Sequence, residues 1–382
     1  MPAPHGAAGG GVPARPPRDP RLDIARGWMQ VSIFVSHVAG TAFAWGIHAA
    51  WGLSDSSEQF VLLSGLTLGS VFALKEARGG PGAARADMAR RTLRLYLTHL
   101  TVFFVFAALA LAAEMWVPLP GEAERLGWSY LAERPWLALP AALAMAYQPA
   151  FMGILPVFVW SMLLLPPFLR LAGRVGGWAL APAVAAYAAV QLGLLATPSA
   201  GGTGIAFEPF AWQALFLGGA LVGRRALLSG EGVPRRRWLV LGAAAVVLAG
   251  FWARLVGHGF LPGPEAAIAA AIHKEALPPA RLLHALALAY LVAALVPREA
   301  AWMRAWPARV LAAVGRHSLR VFCAGLFLAW GASVALARWP DGAAWLDPLL
   351  VGGGACALAA LAWGLEGWRR APRRVGRGGL AG

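Results

Sequence analysis

The chain has 382 residues, of which 59% are hydrophobic and only 13% charged, against roughly 25% charged in an ordinary soluble protein; a soluble enzyme is excluded. A formal net charge of +15 would point to nucleic acid in a soluble chain, but Arg spread between long apolar runs marks the cytoplasmic loops of a multi-span membrane protein. The partner expected is the lipid bilayer, with no nucleic acid; Cys323 and Cys356 lie inside apolar runs, which leaves neither a disulfide framework nor a cysteine metal cluster.

Residues 1–20, rich in Pro, Gly and Ala, read as a disordered cytoplasmic lead without the apolar core of a signal peptide. A helix needs about 20 mostly apolar residues to cross a bilayer, and ten segments qualify. They are 27–47, 59–75, 95–117, a Pro-rich stretch ending near 171, 178–196, 210–227, 238–257, 281–297, 310–336 and 344–366. An even count puts both termini on one side. With the amino terminus inside, 27 of the 33 Lys and Arg fall in inside segments and eleven of the 18 acids outside, so both termini are expected in the cytoplasm. The expected fold is therefore an all-α integral membrane protein of about ten transmembrane helices, one membrane domain over 21–368, followed by a basic cytoplasmic tail, 369–382. The fourth span is irregular. Pro135, Pro140, Pro149, Pro156, Pro166 and Pro167 would kink a plain helix repeatedly, so one crossing is expected, about 151–171, with 136–147 interfacial or re-entrant. Irregular backbone at membrane depth is tolerated where it lines a cavity or is buried in protein, which makes Gln148-Pro149 to Leu155-Pro156 either a cavity wall or a packing kink.

Polar residues inside such a chain are costly and therefore informative. In the first span, about 100° per residue puts Arg26 and His37 within roughly 20° of each other and Asp23 within about 40° of His37. His37 lies about 16 Å beyond Arg26, near the membrane midplane if Arg26 marks the inner interface. Either the three form a functional face, or His37 is a satisfied neutral imidazole, with Arg26 snorkelling and Asp23 capping. Before the second span, Asp55 and Glu58 have the spacing of a capping box, with substrate contact as the alternative. His273-Lys274, Arg281 and His284 form a cationic cluster on the outer side, either an anion or sugar site or an interfacial anchor. Arg316-His317-Ser318, with Arg320, opens the ninth span on the cytoplasmic side, where helix N–H groups and Arg suit phosphate; capping by Ser318 is the alternative. Trp212-Gln213 in the sixth span is either a polar contact or aromatic packing. No zinc-type His pair, dinucleotide-binding glycine motif, P-loop or serine elbow occurs. A His-centred cavity with arginines on one side and a polar mouth on the other suits group transfer across a membrane.

The same residues occur in strings that resemble the OpgC family: Arg21-Leu22-Asp23 to Arg26-Gly27 to His37; Ser54-Asp55 to Glu58 to Phe60-Val61 to Leu63-Ser64-Gly65; Gln148-Pro149 to Ile154-Leu155-Pro156; Pro209-Phe210-Ala211-Trp212-Gln213; Lys274 to Leu277 to Arg281-Leu282-Leu283-His284; and Gly315 to His317-Ser318-Leu319 to Val321-Phe322. They run in order over about residues 21–325. The resemblance implies a multi-pass protein of the bacterial inner membrane that adds succinyl groups to osmoregulated periplasmic glucans, akin to wider membrane acyltransferases with a similar Asp, Arg and His in the first span. Two departures bear on the acyl group or the acceptor: Gly153 stands where the family string often has an acid, and Glu208 where it often has Asn.

The resemblance implies acyl-CoA as co-substrate, succinyl-CoA first, and no metal. His37 would be the general base, and Asp23 would fix Arg26. Arg26, Arg316, His317, Ser318 and Arg320 would form the donor site. Asp55, Glu58, Gln148, Trp212, Gln213, Lys274, Arg281 and His284 would bind substrate, with Lys274 or Arg281 holding a succinyl carboxylate. Direct transfer and an acyl-His intermediate both remain open, as do an acceptor that is a lipid-linked or cell-wall sugar, a transporter or flippase of an acylated glycan or lipid, and a homo-oligomer.

Overall fold

Long apolar runs in lipid satisfy their backbone groups within helices. The computed structural model describes residues 18–116, 121–230 and 232–370, and no strand occurs among the described residues. In chain order the helices are α1 (Pro20–His37), α2 (Ser56–Trp116), α3 (Glu122–Arg125), α4 (Ser129–Glu133), α5 (Pro135–Leu143), α6 (Ile154–Val175) and α7 (Ala181–Gln191). They continue as α8 (Pro209–Ser229), α9 (Arg237–Gly257), α10 (Glu265–Ile272), α11 (Pro279–Leu295), α12 (Trp306–Arg316), α13 (Ser318–Arg338) and α14 (Ala343–Arg370). The expected lead over 1–20 lies outside the described residues up to residue 17, and the tail beyond residue 370 likewise. Asp19 and Pro20 already belong to α1, as its side-chain cap and first residue.

Five stretches are long and apolar enough to cross a membrane: Ser56–Met115, Ile154–Gln191, Arg237–Gly257, Ser318–Arg338 and Pro340–Trp368. They take in the expected second, seventh and tenth segments and most of the third, fourth, fifth and ninth. The first and sixth fall on α1 and α8, outside these stretches, and the eighth on α11, apolar but only 17 residues long. Three boundaries differ from expectation. The loop between the second and third spans is helical, and α2 is broken only at Gly80, whose φ of 75° and ψ of 172° belong to a region essentially reserved for glycine. An apolar run over 310–336 is interrupted at His317, where α12 ends and α13 begins. The third correction concerns the first span, which begins at Pro20 and stops at His37. Beyond it the backbone extends at Val38 and re-forms as a 3-10 turn over Ala42–Gly46, capped by Thr41. His37 is thus the terminal residue of α1. In the irregular fourth region α5 has nine residues, about 14 Å, and a single long helix, α6, comes after it.

Within 21–368 the contacts separate two compact units. In the unit His48–Val296, α2 packs chiefly on α8, and α6 and α7 flank α8. Glycine governs that pairing. A Cβ on Gly65 would stand 2.0 Å from the Phe216 carbonyl oxygen, and one on Gly223 would stand 1.9 Å from that of Leu66. Gly69 and Gly219 meet backbone at 2.2 and 2.4 Å in the same way. Glycines four residues apart on both helices are the small-residue pattern that lets helix backbones touch in a membrane. Beside them Trp212, Phe216, Leu165 and Phe72 form the core.

The other unit comprises Asp19–Ile47 and the chain from Pro297 onward. Here α1 packs on α12 and α13, and α14 packs on both of those. Again glycine sets the distance: the position of a Cβ on Gly27 lies 1.9 Å from the Leu311 carbonyl oxygen, and that on Gly315 lies 1.9 Å from the Asp23 carbonyl oxygen. Phe34 seats its ring against Gly354 of α14.

Candidate functional site

The end of α1 is held by two side chains from far along the chain. Ser333 Oγ of α13 accepts from the Ala39 N–H at 2.9 Å and lies 3.3 Å from the His37 carbonyl. Asp347 Oδ2 accepts from the Ala42 N–H at 2.9 Å. These bonds fix the turn that stops the helix and so fix His37. The imidazole Nδ1 lies 2.7 Å from the Ile33 carbonyl oxygen. A carbonyl only accepts, so Nδ1 carries the proton, and in the neutral ring the lone pair is on Nε2. Nε2 is therefore the nitrogen able to take up a proton.

Half-buried His37 lines a crevice between α1 and α13 too tight to hold a water molecule, with Gln30 on its own helix and Val321, Phe322, Gly325 and Leu326 opposite. Gln30 is only 2% exposed. It lies seven residues before His37, and Asp23 seven before Gln30, so the three occupy one face of α1. Asp23 is buried and Arg26 half-buried on this helix. At the α12–α13 break, Arg316 Nε donates to Glu366 Oε1 of α14, and buried His317 places Nε2 4.0 Å from the same carboxylate. Arg320 is exposed in the first turn of α13, and Ser318 opens that helix without serving as its cap. Arg316, expected to meet phosphate, is thus already paired with a carboxylate.

The expected substrate residues all lie in the unit His48–Val296, where Asp55, Glu58, Lys274 and Arg281 meet. Asp55 and Glu58 do form a capping box: Asp55 Oδ1 accepts from the Ser57 N–H at 2.7 Å, and Glu58 Oε2 accepts from the Asp55 N–H at 2.8 Å. The cations close on these acids. Arg281 Nε donates to Glu58 Oε1 at 2.7 Å, Arg281 Nη2 to Asp55 Oδ2 at 3.2 Å and Nη1 to the Ile272 carbonyl at 2.7 Å. Lys274 Nζ lies 2.8 Å from Asp55 Oδ2. Burial alone would raise the Asp55 carboxyl, but Lys274 and then Arg281 hold it well below the usual carboxylate range. The two cations expected to hold a succinyl carboxylate therefore already face two carboxylates. His284 Nδ1 contacts Ser54 Oγ at 2.7 Å, and its ring fills the space a side chain on Gly52 or Gly250 would need.

From there the contacts continue inward. Lys274 Nζ stands 5.1 Å over the Phe207 ring, which meets Trp212 edge-on at 4.9 Å. Trp212 is fully buried and donates to the Glu275 carbonyl at 3.0 Å, while buried Gln213 reaches only the Phe210 carbonyl of its own helix, at 3.4 Å. Gln148 Nε2 donates to the Met145 carbonyl at 3.0 Å. Its segment is packed in protein: Met145 (φ 61°) and Phe151 (φ 72°) take left-handed backbone around it, and Ala146 and Ala150 bond to Ala200 and Leu126. Both sequence departures have packing reasons. A Cβ on Gly153 would come 2.5 Å from Ala206 Cβ and 3.1 Å from the Phe207 ring. Glu208 caps α8 and accepts from the Thr197 N–H and hydroxyl at 3.0 and 2.5 Å.

The expected site residues are thus distributed between the units: Asp23, Arg26, His37 and Arg316 to Arg320 in one, the substrate set in the other. Four residues escaped the sequence reading. Gln30 was detectable as an amide at heptad spacing between Asp23 and His37, whereas Ser333, Asp347 and Glu366 act across hundreds of residues and leave no local signal. Among the described residues no group of three or more His, Cys, Asp or Glu is arranged to hold a metal.

Comparison with curated proteins and with solved structures gives no match. The family described as OpgC protein matches residues 18–370. That span contains α1 to α14 and every string that carries the resemblance. Such coverage, on an all-helical chain with several membrane-length apolar helices, shows that the chain belongs to the OpgC protein family, membrane acyltransferases acting on glucans.

Proposed function

We propose that this chain is an O-acyltransferase of the bacterial inner membrane, with about ten spans and both termini in the cytoplasm. It moves an acyl group, succinyl first, from cytoplasmic acyl-CoA to a hydroxyl of an extracytoplasmic glucan, with His37 as general base. The observation that carries this reading is the bond between His37 Nδ1 and the Ile33 carbonyl, which leaves the basic nitrogen as Nε2. The excess of Lys and Arg in alternate loops supports the orientation.

In the transfer, His37 Nε2 takes the proton of the acceptor hydroxyl as its oxygen attacks the thioester carbon. The carbon–sulfur bond breaks, and the imidazolium returns the proton to the departing thiolate, giving ester and free thiol. A positioned base of this kind contributes typically 10²–10⁴-fold. Arg26 and exposed Arg320 are the cations proposed for the donor's phosphates, with Asp23 one turn from Arg26 to orient it. Lys274 and Arg281 have a structural role here, since Asp55 and Glu58 neutralise them.

The test is mass spectrometry of periplasmic glucans from cells lacking the protein, complemented with wild type or His37→Ala at matched membrane levels. Anionic mass shifts restored by wild type and lost with His37→Ala are expected. Full restoration by His37→Ala would overturn the base; failure of both would move the acceptor to lipid-linked or wall sugars. Purified wild type that releases no coenzyme A from its thioester would place the protein among transporters instead.

A further inference from the structure

Two arginines near the end of α8, half-buried Arg224 and exposed Arg225, lie over the end of α6. A Cβ on Gly173 would stand 3.4 Å from Arg224 Nη2, and one on Gly177 3.2 Å from Arg225 Nη2. The two glycines thus let both guanidiniums settle close to the backbone. Arg224 Nε is buried and has no hydrogen-bond partner among the described residues. To this pair α6 adds exposed Arg170 and Arg174. At about 100° per residue, Arg170 points between Gly173 and Arg174, about 60° from the first and 40° from the second, so the four cations gather on one side of the helix end. Neither 154–192 nor 209–230 contains an acid. Four like charges on such helices repel one another, and a part-buried guanidinium without an anion is poorly compensated. Phosphate oxygens match the forked donors of arginine.

The surroundings decide which phosphate. Trp178, in the 3-10 turn Gly176–Leu180 that follows α6, is 82% exposed. Exposed Trp160, Leu164 and Leu171 form an apolar stripe on α6 that ends at Arg174, all within about 80° of arc. A soluble phosphate compound has nothing to lay on that stripe, whereas a phospholipid sets its acyl chains there and its phosphate among the arginines, with Trp178 at headgroup level. We propose that the adjoining ends of α6 and α8 bind the headgroup of an anionic phospholipid, and that cardiolipin, whose two phosphates suit four cations, is the preferred ligand. The site uses only the membrane reading of the chain and stands whether or not the protein transfers acyl groups.

The experiment uses full-length protein washed free of lipid in a neutral detergent, with thermal unfolding followed as cardiolipin, phosphatidylglycerol or phosphatidylcholine is added in mixed micelles. A saturable rise in the midpoint is expected with cardiolipin, a smaller one with phosphatidylglycerol and none with phosphatidylcholine. The double variant Arg224→Gln, Arg225→Gln should bind cardiolipin about tenfold more weakly or worse. A control, Arg235→Gln with Arg236→Gln, removes the same charge from the exposed loop before α9 and should change the affinity by less than about twofold. Native mass spectrometry reads bound lipid independently of stability: cardiolipin should stay on wild type and on the control, and be lost from the Arg224, Arg225 variant. Equal loss in both double variants would reduce the site to diffuse charge and overturn it. Equal protection by phosphatidylcholine would overturn headgroup recognition, and equal protection by inorganic phosphate would assign the anion to a soluble ligand and overturn the lipid.

Discussion

At the scale of single residues, the ion cluster around Arg281 illustrates how burial decides what a charge is for. Glu58 is fully buried and Arg281 only 6% exposed, so each needs the other. Arg281→Met should cost about 3–5 kcal/mol by leaving a carboxylate buried and uncompensated, and adding Glu58→Met should recover more than half of that, read as midpoints of thermal unfolding in detergent. A substrate clamp would behave differently: both variants would fold equally well and lose activity together. Asp55 adds a pH dependence. Its carboxyl is held low in the folded chain, so its contribution is complete above the unfolded aspartate range, near 3.9, and is lost as pH falls through the folded value. Asp55→Asn should therefore be less stable than wild type by about 1–3 kcal/mol at pH 7, with the difference shrinking below about pH 4. The Asp55–Glu58 box was legible from three-residue spacing. Its partner Arg281, 223 and 226 residues away, was legible only as a cation in an acid-rich compartment, and that appearance suits a ligand site equally well.

Among the helices, lengths and apolar character follow from hydropathy, whereas breaks do not. Gly80-Pro81 carried a breaking signal, but the residues on either side remain helical, and Lys75 of the first arm pairs with Asp87 of the second at 2.5 Å across the kink. Gly80→Ala should cost about 1–3 kcal/mol through its backbone conformation. The break at His317 and the end of α1 at His37 have no comparable local signal, since contacts made by Glu366, Ser333 and Asp347 accompany them. The α2–α8 pairing gives a sharper contrast between two glycines in helices. Gly223→Ala forces a methyl group onto the Leu66 carbonyl and should lower stability by about 1–3 kcal/mol or more. Gly242 of α9 has no neighbour within 4 Å of an added Cβ, and Gly242→Ala should raise stability by about 0.5–1 kcal/mol through helix propensity. Unfolding midpoints of the two variants in one detergent make the comparison.

For the whole molecule, the notable arrangement is that the unit containing His37 is assembled from the two ends of the sequence, with 48–296 forming a unit of their own. The Asp, Arg and His face of α1 was legible from helical periodicity. That its supports would come from the last three helices was not, because periodicity describes one element at a time. A chain ending at Trp339 keeps His37 but loses Asp347, the Phe34 seat at Gly354 and Glu366. It should release no coenzyme A in the presence of glucan, while the α2–α8 core still resists limited proteolysis.

The hydrogen bonds that complete the turn after His37 join residues 294 and 305 positions apart. At about 5–20 residues per second, a ribosome needs roughly 15–60 s to make that much chain. During this interval α1 has been synthesised but its stopping turn cannot close, and the crevice has no second wall. A nascent chain that stalls or is abandoned therefore carries His37 on a helix whose end is not yet fixed.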